Sequence, residues 1–155
     1  MKSYYEITEA LNTHLSNNQI TKTVTIGDIT DVDLNKRSIF PLAHIIVNSG
    51  QITTQVVTLD ISILFMDVVD YSQDETKAEQ QPFYGNNNLQ DVHNTQLAAA
   101  NLLGQSFLRG DLFGNTFQVA DVVTLEPFQD RFENTLAGWS LNLSVQIAND
   151  DISIC

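Results

Sequence analysis

From position 136 to 147 the chain reads L-A-G-W-S-L-N-L-S-V-Q-I, with Trp139, Leu141, Leu143, Val145 and Ile147 on every second residue. Ser140, Asn142, Ser144 and Gln146 fill the places between. A period of two puts these sets on opposite faces of an extended strand. An apolar face backed by a neutral polar one marks an antiparallel strand with one side on a core.

The same reading runs along the rest of the chain. Ser3 and Glu6 have capping-box spacing, and Tyr4, Ile7, Leu11 and Leu15 step by three or four. This predicts a short amphipathic helix over 4–16, ended by Asn17 and Asn18. Residues 20–26 (I-T-K-T-V-T-I) alternate and are β-branched, which predicts a strand. Residues 27–38 read as a polar loop with Asp28, Asp31 and Asp33. Phe40-Pro41 leads into L-A-H-I-I-V, a strand whose first position suits proline. Asn48-Ser49-Gly50 carries turn chemistry.

A longer strand is predicted over 51–69. Val57, Leu59, Ile61, Ile63 and Phe65 mark one face and Thr58, Asp60 and Ser62 the other, until Leu64, Met66 and Val68 make that face apolar too. The far end therefore needs a second cover, either a helix or another subunit. Residues 70–88 break the pattern. They are polar and acidic, yet hold Pro82-Phe83-Tyr84-Gly85. So long a connection is commonly functional or disordered. Phe83 and Tyr84 either fold back or anchor a neighbour.

Asn88 is a good N-cap and Asp91 suits the first turn of a helix. Leu89, Val92, Ala99, Leu103 and Phe107 form a stripe interrupted by Gln96, predicting a helix over 89–109 with Gly110 beyond its end. Residues 112–115 read as a turn and 117–125 as a strand with a bulge-like irregularity at Val122-Val123. Residues 127–134 read as a polar connection before the last strand. The order helix, strand, strand, long strand, loop, long helix, strand, long strand predicts one α+β domain over 1–155, a mostly antiparallel twisted sheet with a short N-terminal helix and one main helix packed on it.

Charge changes the choice of partners. Nineteen acids against seven bases give a formal net charge of −12. Phosphate contacts need clustered Lys and Arg, so specific nucleic-acid binding is not expected. An acidic surface fits a basic protein, or a channel through which DNA slides without sticking. The single cysteine, Cys155, allows no intrachain disulfide. The N-terminus lacks the apolar core of a signal peptide, and no apolar run has membrane-spanning length.

Candidate chemistry is sparse. Asp31, Asp33 and Asn35 copy the opening of a calcium loop, but Lys36 and Leu42 stand where glycine and glutamate are required. His14, His44 and His93 fall on three elements without metal-ligand spacing. There is no G-x-S-x-G, no phosphate-cradling G-x-x-x-x-G-K and no C-x-x-C. Cys155 has no base fixed beside it. Asp91 and His93 would be the best polar pair of a pocket beneath a 70–88 lid, although residues two apart on a helix do not share a face. A DNA-mimicking regulator would need its acids clustered, and they are dispersed. No catalytic residue, cofactor or metal is expected.

The stretch I-F-P-L-A-H-I-I-V at 39–47, the long strand ending I-S-I-L-F-M-D and the closing W-S-L-N-L-S-V-Q-I resemble the tail terminator and tail completion proteins of tailed bacteriophages. The resemblance covers most of the chain and rests on element order and the Phe-Pro strand entry. It implies a non-enzymatic ring subunit of the head–tail connector, neck or tail, in six or twelve copies. Its partners would be copies of itself and adjoining portal, connector or tail proteins, with DNA passing through the lumen unbound. It implies assembly in the host cytoplasm and a final place in the virion. Phe83, Tyr84, Met66 and Val68 are the expected contact residues. The competing reading is a small enzyme or ligand-binding domain with the 70–88 loop as lid.

Overall fold

The computed structural model describes residues 2–32, 39–69, 89–109, 117–119, 122–131 and 136–148. In order these form helix α1 (Lys2–Asn17), strand β1 (Thr23–Ile26), a single 3-10 turn (Ile29–Asp31), β2 (Leu42–Ile52), β3 (Val56–Val68), α2 (Leu89–Arg109), β4 (Gln118–Val119), β5 (Thr124–Arg131) and β6 (Leu136–Ala148). The six strands make one sheet in the order β1-β2-β3-β6, with β4 and β5 both beyond β6. Only the β1–β2 pair is parallel. The fold is α+β, as the element order predicts.

Both helices contribute to one core on one face of the sheet. Ile7, Leu11 and Leu15 of α1 sit there with Ala99, Ala100, Leu103 and Phe107 of α2. Ala43, Ile45, Ile61, Ile63, Phe65, Leu141, Leu143 and Val145 come up from the sheet. The four-residue spacing in α1 and the 99, 103, 107 spacing in α2 are the sequence stripes realised. Tyr4, placed in the α1 stripe by its spacing, is in fact 39% exposed in the first turn.

Several boundaries differ from expectation. Asn48-Ser49-Gly50 does not turn the chain. The β2–β3 register shifts between Val47 and Ser49, so the extra residue is absorbed in a bulge and β2 runs on to Ile52. The turn lies at 53–55, where Thr53 N–H donates to the Val56 carbonyl at 2.9 Å and Thr53 Oγ1 accepts from Val56 N–H at 3.0 Å. Thr-Thr-Gln has none of the usual turn residues, so a side-chain hydroxyl does what glycine commonly does. The long strand accordingly begins at Val56 rather than 51.

The strand expected over 117–125 is two pieces on the same side of β6. β4 pairs at Val145 and Gln146, and β5 pairs from Leu136 to Asn142. Pro127, expected in a connection, lies inside β5 opposite Trp139. Among the described residues β5 pairs only with β6, and a proline is tolerated on such an edge because its missing N–H faces outward. The first strand is shorter than predicted, starting at Thr23 rather than 20.

Candidate functional site

Of the four expected contact residues, Phe83 and Tyr84 lie outside the described residues. Met66 and Val68 are at the end of β3, on the sheet face turned away from the helical core. Met66 has no exposed surface. It packs in a second cluster with Phe40, Leu42, Leu64, Phe128 and Leu136, and Val68 is half-buried against this cluster. The cover comes from the chain itself: Ile29 in the 3-10 turn and Val32 just after it, Ile39 and Phe40 before β2, and Phe128 from β5. Among the described residues no α-helix contributes to it. The sequence signal, an apolar shift in the outer face of β3, was real. The covering residues are single apolar side chains in irregular or edge segments, which no periodicity marks.

The rest of that face is polar and bonded to itself across three strands. Ser62 Oγ donates to Asn142 Oδ1 at 2.6 Å and accepts from Asn48 Nδ2 at 2.7 Å. One register step away, Ser49 Oγ donates to Asp60 Oδ2 at 2.8 Å, and Ser144 Oγ donates to Asp60 Oδ1. The two hydroxyls, Ser144 first, hold the Asp60 carboxyl below its ordinary range. Asp67, at the opposite end of β3, behaves in the other sense. Burial raises its carboxyl, against one stabilising bond from Val68 N–H.

The histidines serve the scaffold. His44 is fully buried. Its Nε2 lies 2.9 Å from the Gly27 carbonyl and its Nδ1 lies 2.6 Å from Thr25 Oγ1. A carbonyl can only accept, so Nε2 carries the proton; neutral His44 then accepts from the Thr25 hydroxyl at Nδ1. Burial lowers the His44 pKa, against the Gly27 bond and the Asp28 charge, which both raise it. His93 Nε2 donates to the Phe128 carbonyl at 3.1 Å. Its ring meets Trp139 edge to face, with centroids 6.1 Å apart. Asp91 is exposed on another side of the same helix, so the Asp91–His93 pair is not brought together. His14 sits against Ser106 of α2 at 3.4 Å. Among the described residues no group of three His, Cys, Asp or Glu is placed to hold a metal ion.

What remains is surface. Residues 48–55, the distal part of the β2–β3 hairpin, are all exposed. At the other side of β2, where β1 ends, two clefts of about 490 and 260 Å³ share Ile26. No sequence pattern marks these clefts, because they form where α1, β1 and β2 meet, far apart in the chain. Neither a scan against protein-family models nor a search of curated proteins finds a match to this chain.

Proposed function

We propose that the chain is a structural subunit that assembles in copies into a ring, of the head–tail connector, neck or tail-terminator kind that its sequence resembles. The observation that carries the reading is the one-sided build of the fold. α1 and α2 contribute to the same core, while the polar part of the opposite face has no helix over it among the described residues. The hairpin projects beyond the packed region, with 48–55 exposed. A sheet with a partly uncovered polar face and a projecting hairpin can repeat around a closed ring by sharing faces and edges between neighbours. The net charge of −12 would let DNA pass through such a ring without being held.

The lid-and-pocket alternative gains no support from the described residues. The His93 ring donates to a backbone carbonyl and packs on Trp139, and Asp91 points elsewhere. The ring reading is tested by negative-stain electron microscopy of the purified chain. Annular particles of one defined subunit number are expected. A deletion of residues 74–86 should leave a folded chain that forms no rings. Identical rings from the deletion variant would remove the 70–88 segment from the interface.

A further inference from the structure

β1 covers only the first four residues of β2, pairing Thr23 to Ile26 with Leu42 to Ile45. From Ile46 to Ile52 the outer side of β2 has no strand beside it among the described residues. Gly27 turns the chain away at this point, with φ of 117° and its N–H donating to the Ile45 carbonyl at 3.0 Å. A side chain would strain that conformation, so glycine ends β1 here.

The larger cleft opens where β1 leaves. It is lined by Tyr4, Ile26, Asp28, Ile29, Ile46 and Val47. Tyr4 is 39% and Ile26 50% exposed, so apolar surface faces solvent beside unpaired strand backbone.

Free edges are normally guarded by charge, proline or shortness. On the opposite edge, β5 carries Glu126 and Pro127, both exposed. The segment I-V-N-S-G-Q-I from 46 to 52 has no charge and no proline, only the bulge.

We propose that the outer edge of β2 from Ile46 to Ile52 receives an extended, basic peptide segment of a partner protein as an added strand, with one apolar side chain of that segment in the cleft beside Ile26. Backbone bonds to the edge supply affinity, and alternate side chains of the incoming strand supply selectivity. Charge sets the class of partner. Among the described residues, those lining the two clefts include Asp28 and Glu9 and neither Lys nor Arg. The Thr30 N–H holds Asp28 below its ordinary pKa, so it is ionised at neutral pH. A second copy of this chain is the competing occupant, because the ring reading shares edges between neighbours, and the concentration arm of the test separates the two. The inference stands apart from the ring reading, since a monomeric binding domain would present the same edge.

The test uses the full chain and a fluorescein-labelled peptide, Lys-Val-Lys-Ile-Lys-Val-Lys, followed by fluorescence anisotropy and amide exchange. Saturable binding is expected, with exchange at residues 47–52 slowed in the complex. Ile26→Thr, neutral and at an exposed position, should weaken it by about tenfold, as should N-methylation of alternate peptide residues. Replacing every peptide lysine by glutamate should abolish it. The proposal is overturned if the lysine peptide does not saturate, if either peptide control or Ile26→Thr binds as well, or if 47–52 become protected by raising protein concentration alone. The last result would assign the edge to a second copy.

Discussion

Trp139 Nε1–H donates to the His93 carbonyl at 2.9 Å, tying the central strand β6 to the first turns of α2 across 46 positions of sequence. The same helix residue reaches on to β5 through the His93–Phe128 bond. One tryptophan thus fixes where the main helix enters the sheet.

Trp139→Phe keeps a ring against His93 and removes the bond. The expected loss is about 1 kcal/mol, the usual net worth of such a hydrogen bond. Urea unfolding followed by circular dichroism measures it, because the variant lacks the chain's single tryptophan. An unchanged midpoint would mean that the bond contributes nothing to docking of α2.

His44 gives stability a pH dependence. Its folded pKa lies below the ordinary 6.5, chiefly because burial disfavours the cation. Between the folded and unfolded values the unfolded chain binds more protons, so the contribution is complete above about 6.5 and is lost as pH falls below it. Asp28 works against this by favouring the cation. His44→Gln should flatten the fall in denaturation midpoint below pH 6.5. An identical slope in the variant would assign the dependence to other groups. Asp60, whose pKa is also lowered, adds a loss only in the more acidic carboxylate range.

Gly138 faces Met66 across the β3–β6 pair, and a Cβ built there would lie 1.8 Å from the Phe65 carbonyl oxygen. That oxygen is backbone and cannot step aside cheaply. Gly138→Ala should therefore cost at least about 3 kcal/mol, above the usual range for overpacking by a single methyl group. A melting temperature within a degree or two of the parent would show that the strands separate more easily than this geometry implies.

Gln96 interrupts the apolar stripe of α2, is 1% exposed, and its Nε2 has no hydrogen-bond partner. An orphaned buried amide costs free energy that an apolar side chain of similar length does not. Gln96→Met should stabilise the fold by about 1 kcal/mol. A destabilised variant would show that the amide is satisfied in solution.

The parts of the fold that were legible are those where one period runs long enough to be read. α2 was expected over 89–109 and spans those residues, because its stripe repeats over the whole length. β6 was legible from strict alternation over Trp139 to Ile147. The β2–β3 turn was not, because Asn48-Ser49-Gly50 has turn chemistry but sits in a bulge, and Thr53 closes the real turn with its hydroxyl. Met66 was legible as an apolar position with something over it. That Phe40 and Phe128 provide the cover depends on contacts that one strand's pattern does not contain.

The native mass of the purified chain, by light scattering behind a sizing column, tests the ring assignment most directly. A single defined mass of six or twelve protomers of 17.3 kDa is the expected result. A mass of one protomer at every accessible concentration would contradict self-assembly into a ring and return the chain to the reading of a monomeric binding domain.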